Sequence, residues 1–299
     1  MKDFFQVIMT KIKYISYYIE IMKYLGGKQR LGKHIAPILK DIWATYESLF
    51  STSLEAYLEP FCGSLGVLKN MSDNENVAIL ANDYHPDLIQ MWNEVKAGTF
   101  VCPESVSEEE YNAAKLLPSP SALKSFIGFG MSFGGRFFGA YSQKYLNDKP
   151  EDFCKEMTNS LKRIRPVIQN VTFSNKEYQE LTPENMFVYC DPPYAFSKYP
   201  IKYRRATKKY DVFDNAKFWE RMREWSKTNL VVVSEVTAPP DFVNVWEQER
   251  YRSAAQSKKT RFCEKSETES KTHNMEKLYI HESIASKLFP VTQAKSEEK

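Results

Sequence analysis

The residues best suited to chemistry in this sequence form one corner, in which the apolar run Phe187-Val188-Tyr189-Cys190 leads directly into Asp191-Pro192-Pro193-Tyr194. The apolar run predicts a buried strand, which must stop at Asp191 because proline cannot donate to a sheet ladder. Each proline also holds the residue before it in an extended conformation, so the corner is rigid. It presents a carboxylate, a backbone carbonyl and the ring of Tyr194, which together suit a planar amine on a stacked base. From these residues alone, a plain proline turn with a solvated Asp191 remains an alternative.

A glycine turn in the first third of the chain indicates a nucleotide site. Residues 56–61 are typical of a strand, after which Gly63 and Gly66 are predicted to open a helix towards Asn70. Strand, glycine turn and helix form the first unit of a nucleotide-binding α/β fold. Asp83 follows the next predicted strand, 20 positions after Gly63, close to the spacing at which an acid meets ribose hydroxyls in such folds. The alternative is that Asp83 only caps the following helix.

The kind of ligand is narrowed by what the turn lacks. The patterns G-x-G-x-x-G and Walker A are absent, so a nicotinamide or triphosphate ligand is not favoured. The ligand inferred is an adenosine with a short charged appendage. Residues 23–28, Lys-Tyr-Leu-Gly-Gly-Lys, precede a helical pattern and offer backbone amides beside the charge of Lys28. Such a turn suits a carboxylate or a phosphate, although Gly-Gly before a helix is more often only a turn.

Two further segments suit contact with nucleic acid. Residues 128–139 interleave glycine, aromatic and basic residues, a composition typical of surfaces that stack on bases and touch phosphates. The phenylalanines of this segment could equally pack inward, whereas Arg136 and Lys144 are predicted to contact nucleic acid. A basic run follows Tyr194 and is expected to contact phosphates rather than remain merely solvated. Its cations are Lys198, Lys202, Arg204, Arg205, Lys208 and Lys209.

The elements that must position these residues alternate between helix and strand. The predicted helices are residues 31–50, 86–96, 151–163 and 214–228, and the last of these has an amphipathic pattern. The predicted strands are residues 56–61, 77–80, a short one near 171, 187–190, 230–234 and a terminal pair at 243–251 and 277–281. This alternation predicts an α/β fold whose strand ends carry the functional residues.

Bulk composition limits the class of protein without choosing a function. The 299 residues are 42% hydrophobic and 26% charged with a net charge of +3, which is ordinary for a soluble globular protein and weak evidence for nucleic acid. The five scattered cysteines have no zinc spacing, which indicates reduced thiols in an intracellular protein. Residues 1–21 are apolar but interrupted by charges, which excludes a membrane span and favours an amphipathic helix.

Taken in order, these elements resemble the Dam-type DNA adenine-N6 methyltransferases. The resemblance covers nearly everything from Lys23 to His281. Asp-Pro-Pro-Tyr alone occurs across several amino-methylating groups. The specific feature is the order: the glycine-lysine element first, the cofactor strand second, then a variable insert, and the catalytic corner last. The matching elements are residues 23–28, Glu59-Pro60-Phe61-Cys62-Gly63-Ser64-Leu65-Gly66, Asn82-Asp83, Asp191-Pro192-Pro193-Tyr194, Ser234-Glu235 and Glu276-Lys277-Leu278.

The resemblance implies a Rossmann-like α/β fold of S-adenosylmethionine-dependent methyltransferases, with a mostly parallel seven-stranded sheet and an inserted, mainly helical target-recognition region. It implies a cofactor-binding part at residues 22–100, the insert at 101–180 and the catalytic part at 181–289. Residues 1–21 would be an N-terminal extension, and residues 290–299 a disordered tail.

The resemblance also implies residue roles and partners. Asp191 and Pro192 would hold the target amine, and Tyr194 would stack on the flipped base. The expected partner is double-stranded DNA, with no membrane and no metal, and the protein would be an intracellular, DNA-associated monomer, with a transient dimer on DNA as the alternative. Contacts to S-adenosyl-L-methionine would come from Tyr24, Lys28, Glu59, Phe61, Gly63, Asp83 and Asp191. The insert does not match that of the bacterial housekeeping members, so no recognition sequence is implied.

Other functions remain open. The same chemistry could act on cytosine N4, an RNA base or a glutamine amide, although the order of the elements favours adenine in duplex DNA. A DNA-binding relative without catalysis is a second alternative, disfavoured by the intact corner and glycine turn. A Rossmann dehydrogenase is disfavoured by the missing fingerprint. The biological role, whether restriction protection, evasion of phage defence or regulation, is not encoded in these motifs.

Overall fold

The structure is a computed structural model that describes residues 22–72, 77–142, 145–146, 149–150, 152–193, 213–249 and 275–290. Its helices in these ranges are α1 (Gly32–Phe50), α2 (Pro86–Ala97), α3 (Glu108–Ala114), α4 (Ala122–Gly130), α5 (Phe153–Ile164), α6 (Asn215–Trp225) and α7 (Glu282–Leu288). Its strands are β1 (Ala56–Glu59), β2 (Ala78–Asn82), β3 (Tyr145–Leu146), β4 (Lys149–Pro150), β5 (Val171–Ser174), β6 (Met186–Cys190), β7 (Leu230–Glu235), β8 (Phe242–Glu249) and β9 (Met275–His281).

Seven of these strands form one sheet in the order β5-β2-β1-β6-β7-β9-β8. β1 runs parallel to β2 and β6, and β6 runs parallel to β7. β9 is antiparallel to both β7 and β8, and its pairing with β8 forms the predicted terminal strand pair. The predicted α/β fold with a mostly parallel seven-stranded sheet is therefore confirmed.

The central strands are buried on both faces, as parallel strands covered by helices must be. On one face, valines of β6 and β7 pack against the aromatic side of α6 in a single apolar cluster. On the other face, Trp43 of α1 lies with its ring centroid 5.1 Å from that of Phe187 and 6.3 Å from that of Tyr57. Helices therefore cover both faces of the central strands.

Polar residues collect where the parallel strands end. β1 ends at Glu59, β2 at Asn82 and β7 at Glu235, and Asp191 directly follows β6. Because the carboxyl ends of parallel strands share one edge of a sheet, this edge is where such folds bind ligands.

The segment after the glycine turn differs from its prediction. In place of a helix running towards Asn70, it forms turns and a single short 3₁₀ helix, Leu68–Asn70. The reason is local, since Gly63 and Leu65 have φ values of 45° and 60°, in the left-handed region that an α-helix cannot accommodate. The preceding strand also ends two residues earlier than predicted, because Pro60 cannot donate to the ladder.

The chain divides into two compact units. The first comprises residues 1–37, 62–76 and 83–175, and the second comprises residues 38–61, 77–82 and 176–299. Within the first unit, α3, α4 and α5 make the predicted insert mainly helical, with β3 and β4 as a short antiparallel pair. The domain boundaries given above remain a prediction.

Candidate active site

The catalytic corner belongs to the second unit and has the backbone that its sequence predicts. β6 ends at Cys190, and residues 191–193 continue without regular structure. Pro192 is buried, and Asp191 is half-buried. The corner therefore holds a partly accessible carboxylate at the end of a fully buried strand.

A second carboxylate in this unit is almost entirely enclosed. Glu59 is 3% exposed and accepts a hydrogen bond of 2.7 Å from the Tyr57 hydroxyl. Burial raises the pKa of Glu59 to about 8; the Tyr57 hydrogen bond opposes this shift and the negative charge of Asp191 adds to it. Glu59 is consequently protonated at neutral pH in the free protein.

Side chains of the second unit also fix the chain that leaves β1. The Asn82 amide donates to the Pro60 carbonyl at 3.1 Å and to the Lys176 carbonyl at 3.0 Å, and its oxygen accepts from the Lys176 amide. Phe61, half-buried, has its ring centroid 5.2 Å from that of Tyr178. The residue predicted to contact the cofactor at this position therefore belongs to an aromatic cluster.

The glycine turn belongs to the first unit and is braced by Asp83. One carboxylate oxygen accepts from the Gly63 amide and the other from the His85 amide, each at 2.9 Å. Burial raises the pKa of Asp83 to about 6 against the effect of these two hydrogen bonds. Each oxygen retains a second lone pair, so contact with ribose hydroxyls stays a prediction. The alternative role as helix cap does not hold, because the residue that caps α2 is His85.

The segment at residues 23–28 packs directly onto this turn. A Cβ atom on Gly63 would lie 3.1 Å from the Tyr24 ring, and one on Gly66 would lie 2.7 Å from the Lys28 carbonyl carbon. The Gln29 amide donates to both the backbone and the side-chain oxygen of Ser64, at 2.7 Å each. The structure thus brings together Tyr24, Gly63 and Asp83, which the sequence placed far apart, and buries Lys28 beside them.

In the glycine-aromatic segment, residues 128–139, some phenylalanines pack inward and another is exposed, so both alternatives given above occur. Phe129 and Phe137 pack inward around His85, with ring centroids 5.2 Å and 4.4 Å from that of the histidine. Phe133 is 73% exposed, and Arg136 is exposed nearby in the chain. Phe138 also packs inward, with its ring centroid 5.2 Å from that of Tyr111. The inward-packing interpretation therefore applies to Phe129, Phe137 and Phe138 and fails for Phe133.

The same segment is bonded to the residues before α1. The Leu25 amide donates to the Gly135 carbonyl at 3.1 Å, and the rings of Tyr24 and Phe129 lie 5.0 Å apart between centroids. A Cβ atom on Gly135 would lie 2.3 Å from the Lys23 carbonyl carbon. The insert and the predicted cofactor segment are thus in contact within this unit.

Several predicted contact residues lie outside the described ranges. These are Tyr194 and the predicted DNA contacts Lys144, Lys198, Lys202, Arg204, Arg205 and Lys208, together with Lys209. Within the described ranges, no group of three or more His, Cys, Asp and Glu residues could hold a metal ion. Also within them, no helix has the length and apolar character needed to span a membrane.

Three residues that support the site carry no signal readable from the sequence. Tyr57 donates to Glu59, His85 donates its backbone amide to Asp83, and the Trp92 indole donates to the Gly63 carbonyl at 3.0 Å. In the sequence each looks like an ordinary core or capping residue. Only the register of β1 could have indicated Tyr57, because residues two apart on a strand share a face.

Comparison with known proteins identifies the family. The D12 class N6 adenine-specific DNA methyltransferase family matches residues 24–117 and 134–287, which is most of the chain. The Type II methyltransferase M.FokI of Planomicrobium okeanokoites is 23% identical over 215 residues, covering 64% of this chain. The aligned part is 31% of that relative, so the chain spans about a third of its length. With the Asp191 corner, the glycine turn and the seven-stranded sheet in place, the chain belongs to the D12 class of N6 adenine-specific DNA methyltransferases.

Proposed function

We propose that this protein transfers a methyl group from S-adenosyl-L-methionine to the N6 amine of adenine at specific sites in double-stranded DNA. The observation that carries the proposal is the family match across both the glycine turn and the Asp191 corner. A site-specific, adenine-specific DNA methyltransferase also agrees with the name of its bacterial relative, which is a Type II methyltransferase.

The residues present fit the cofactor. In the first unit, Gly63 has a φ of 45° and no side chain, which lets the Tyr24 ring pack directly against the glycine turn. Tyr24, Lys28, Gly63 and Asp83 would hold the adenosine part and its charges. In the second unit, Glu59, Phe61 and Asp191 would contact the remainder. When bound, the cofactor supplies an electrophilic methyl group on a sulfonium centre.

The Asp191 corner deals with the poor nucleophilicity of the amine. The N6 lone pair of adenine is delocalised into the ring. The Asp191 carboxylate and the Pro192 carbonyl would each accept one hydrogen of the amine, which favours a tetrahedral nitrogen with a localised lone pair. Because both acceptors belong to a rigid corner, they are oriented before the base arrives. Asp191 is also a base for the proton that the nitrogen releases after transfer.

The base must leave the duplex to reach this corner, since its amine is paired inside the helix. Tyr194 would provide the surface on which the flipped adenine stacks. The basic run that begins at Lys198 would contact the phosphates of the strand that the base has left, and Arg136 of the insert would contact the target sequence. Phosphate contacts supply affinity, whereas contacts to base edges supply specificity.

The product of the reaction tests the proposal directly. DNA methylated by the purified protein would be digested to nucleosides and analysed by mass spectrometry, with single-molecule sequencing of the same DNA to give the sequence context. We expect N6-methyladenine at one recurring sequence. N4-methylcytosine, or label found only in RNA or protein, would contradict the proposal and support one of the other planar-amine substrates.

A further inference from the structure

A row of buried polar side chains crosses one face of the sheet behind the catalytic corner. Tyr189 of β6 is paired with Val232 of β7, so Ser234, two residues further along β7, lies on the same face as Tyr189. Ser234 is paired with Leu278 of β9, so Glu276, two residues before Leu278, also lies on that face. Asp191 follows Tyr189 by two residues, at the level of Ser234.

These side chains interact with one another and are closed off from solvent. Tyr189, Ser234 and Glu276 are each 1% exposed or less. The Ser234 hydroxyl donates a hydrogen bond to the Glu276 carboxylate. The contact joins β7 to β9 at the level where β6 passes into the catalytic corner.

The Tyr189 hydroxyl lies in the field of the Asp191 and Glu276 carboxylates. Burial raises the pKa of Tyr189 well above its usual value; the negative charges of Asp191 and Glu276 add to this effect, and the side chain of Ser234 opposes it. The phenol therefore keeps its proton and can act only as a hydrogen-bond donor to these groups. Among the described residues, its contact with Ser234 falls short of good hydrogen-bond geometry, so the hydroxyl is not fully satisfied in the free protein. A poorly paired hydroxyl in a core is unfavourable, so a purely packing role would favour phenylalanine.

We propose that Tyr189, Ser234 and Glu276 form a positioning network that holds the Asp191 carboxylate in the orientation needed to accept the amine. The inference rests on the proposed methyl transfer. Tyr189 acts from the same strand and the same face as Asp191, and its proton is available for the carboxylate. Ser234 and Glu276 fix the neighbouring strands at that level. None of the three touches the substrate, so their effect on the reaction passes through Asp191.

Kinetics of isosteric variants test the network. Tyr189→Phe, Ser234→Ala and Glu276→Gln would be compared with wild type in a tritium-transfer assay on duplex DNA. Each variant is expected to lower kcat about tenfold, with KM for the cofactor and for DNA within about twofold, as expected when an interaction made in the transition state is removed. The double variant Tyr189→Phe/Glu276→Gln should lose less than the product of the two single effects, since both act on one carboxylate.

A matched control separates positioning from stability. Tyr279→Phe removes a hydroxyl from the opposite face of β9, where it donates to the Val236 carbonyl at 3.1 Å, and should leave kcat unchanged. Tyr189→Phe should unfold at or above the wild-type temperature while its kcat falls. In this variant the fall of kcat at acidic pH should begin at a higher pH than in wild type, because Asp191 loses a hydrogen-bond donor and its pKa rises.

Two results would overturn the inference. Wild-type kcat and pH profile in Tyr189→Phe would show that the hydroxyl does not act on Asp191, and a change in KM alone would place it in binding. Absence of methyl transfer by the wild-type protein itself would overturn the proposed function and the network together. The two failures are therefore distinguishable in one assay.

Discussion

Glu59 should make cofactor binding depend on pH below about pH 8. The side chain is enclosed within the second unit, and burial raises its pKa to about 8. The cofactor carries a sulfonium and an ammonium group, and a cation placed beside Glu59 would favour the ionised carboxylate. Binding would then have to release the proton that Glu59 holds in the free protein.

The magnitude follows from the pKa. At pH 7 the free carboxyl is one unit below its pKa, so releasing the proton costs about 1.4 kcal/mol, or about tenfold in Kd. Affinity should therefore rise about tenfold for each unit between pH 6 and pH 7 and level off near pH 8. Glu59→Gln cannot release a proton, so it should lose the tenfold rise per pH unit; Asp83, whose pKa is about 6, leaves at most about a twofold change near pH 6.

Isothermal titration calorimetry with S-adenosylhomocysteine measures this effect without turnover, because the product retains the ammonium group. Titrations at pH 6 to 8, each in two buffers of different ionisation enthalpy, give both Kd and the number of protons released. Glu55→Gln, an exposed carboxylate just before β1, is the matched control and should behave as wild type. A wild-type Kd that does not change with pH, or a slope that survives in Glu59→Gln, would refute the reasoning.

The pH dependence of protein stability provides an independent check on the direction of the Glu59 pKa shift. The pKa of Glu59 is raised from 4.5 in the unfolded chain to about 8 in the folded protein, so the folded state favours the protonated form. This contribution is fully present below about pH 4.5 and is lost as the pH rises towards 8, by about 3 kcal/mol at pH 7. The free energy of unfolding of the wild type should therefore fall between pH 5 and pH 8, and the fall should be smaller in Glu59→Gln. Chemical denaturation measures both.

Three further predictions address the cofactor turn and the DNA-binding residues. Gly63→Ala would place a Cβ atom 3.1 Å from the Tyr24 ring at a φ of 45°, and should weaken cofactor binding at least tenfold in calorimetry. Gly134→Ala is the control for backbone strain alone, because Gly134 has a φ of 64° and a Cβ atom there would meet no atom within 4 Å. This control should bind the cofactor normally. Asp83→Ala should weaken cofactor binding because the Gly63 amide loses its acceptor. Tyr194→Ala should leave cofactor binding intact and suppress tritium transfer. Equal losses of cofactor affinity in the two variants would mean that the role assigned to Tyr194 is wrong. Arg204→Ala/Arg205→Ala should weaken binding to cognate and unrelated duplexes alike. The slope of log affinity against log salt concentration should flatten by about one unit for each phosphate that the variant no longer neutralises, and an unchanged slope would show that the basic run is only solvated. Arg136→Ala should instead reduce discrimination between the two duplexes.

The sequence predicted the fold well because its signals are local. Continuous apolar runs such as that in β7, and prolines at strand ends such as Pro192, determine where parallel strands begin and stop. The terminal strand pair was likewise predicted, whereas its antiparallel direction is a finding of the structure. The failure after Gly63 has a local cause that composition does not report, since Leu65 adopts a left-handed conformation that its residue type does not favour.

The sequence predicted the motifs of the candidate site but not the residues and packing that hold them in place. Asp83 was placed by its spacing from Gly63, and the structure shows the two hydrogen-bonded. Glu59 was assigned by resemblance, but its protonation depends on enclosure by the packed sheet, which no linear pattern records. Ser234 and Glu276 meet only because β7 and β9 adopt one register, and register is a property of the assembled sheet.

The hydrogen bond between Leu25 and Gly135 limits how freely the predicted recognition region could be exchanged between relatives. Gly135 sits so close to Lys23 that no larger residue fits, so the two segments must change together. A chimaera that imports residues 121–142 from a relative with another target sequence would have to import the partner residues 22–28 as well. In this chain, therefore, the two segments form one packing unit that a transplant has to carry whole.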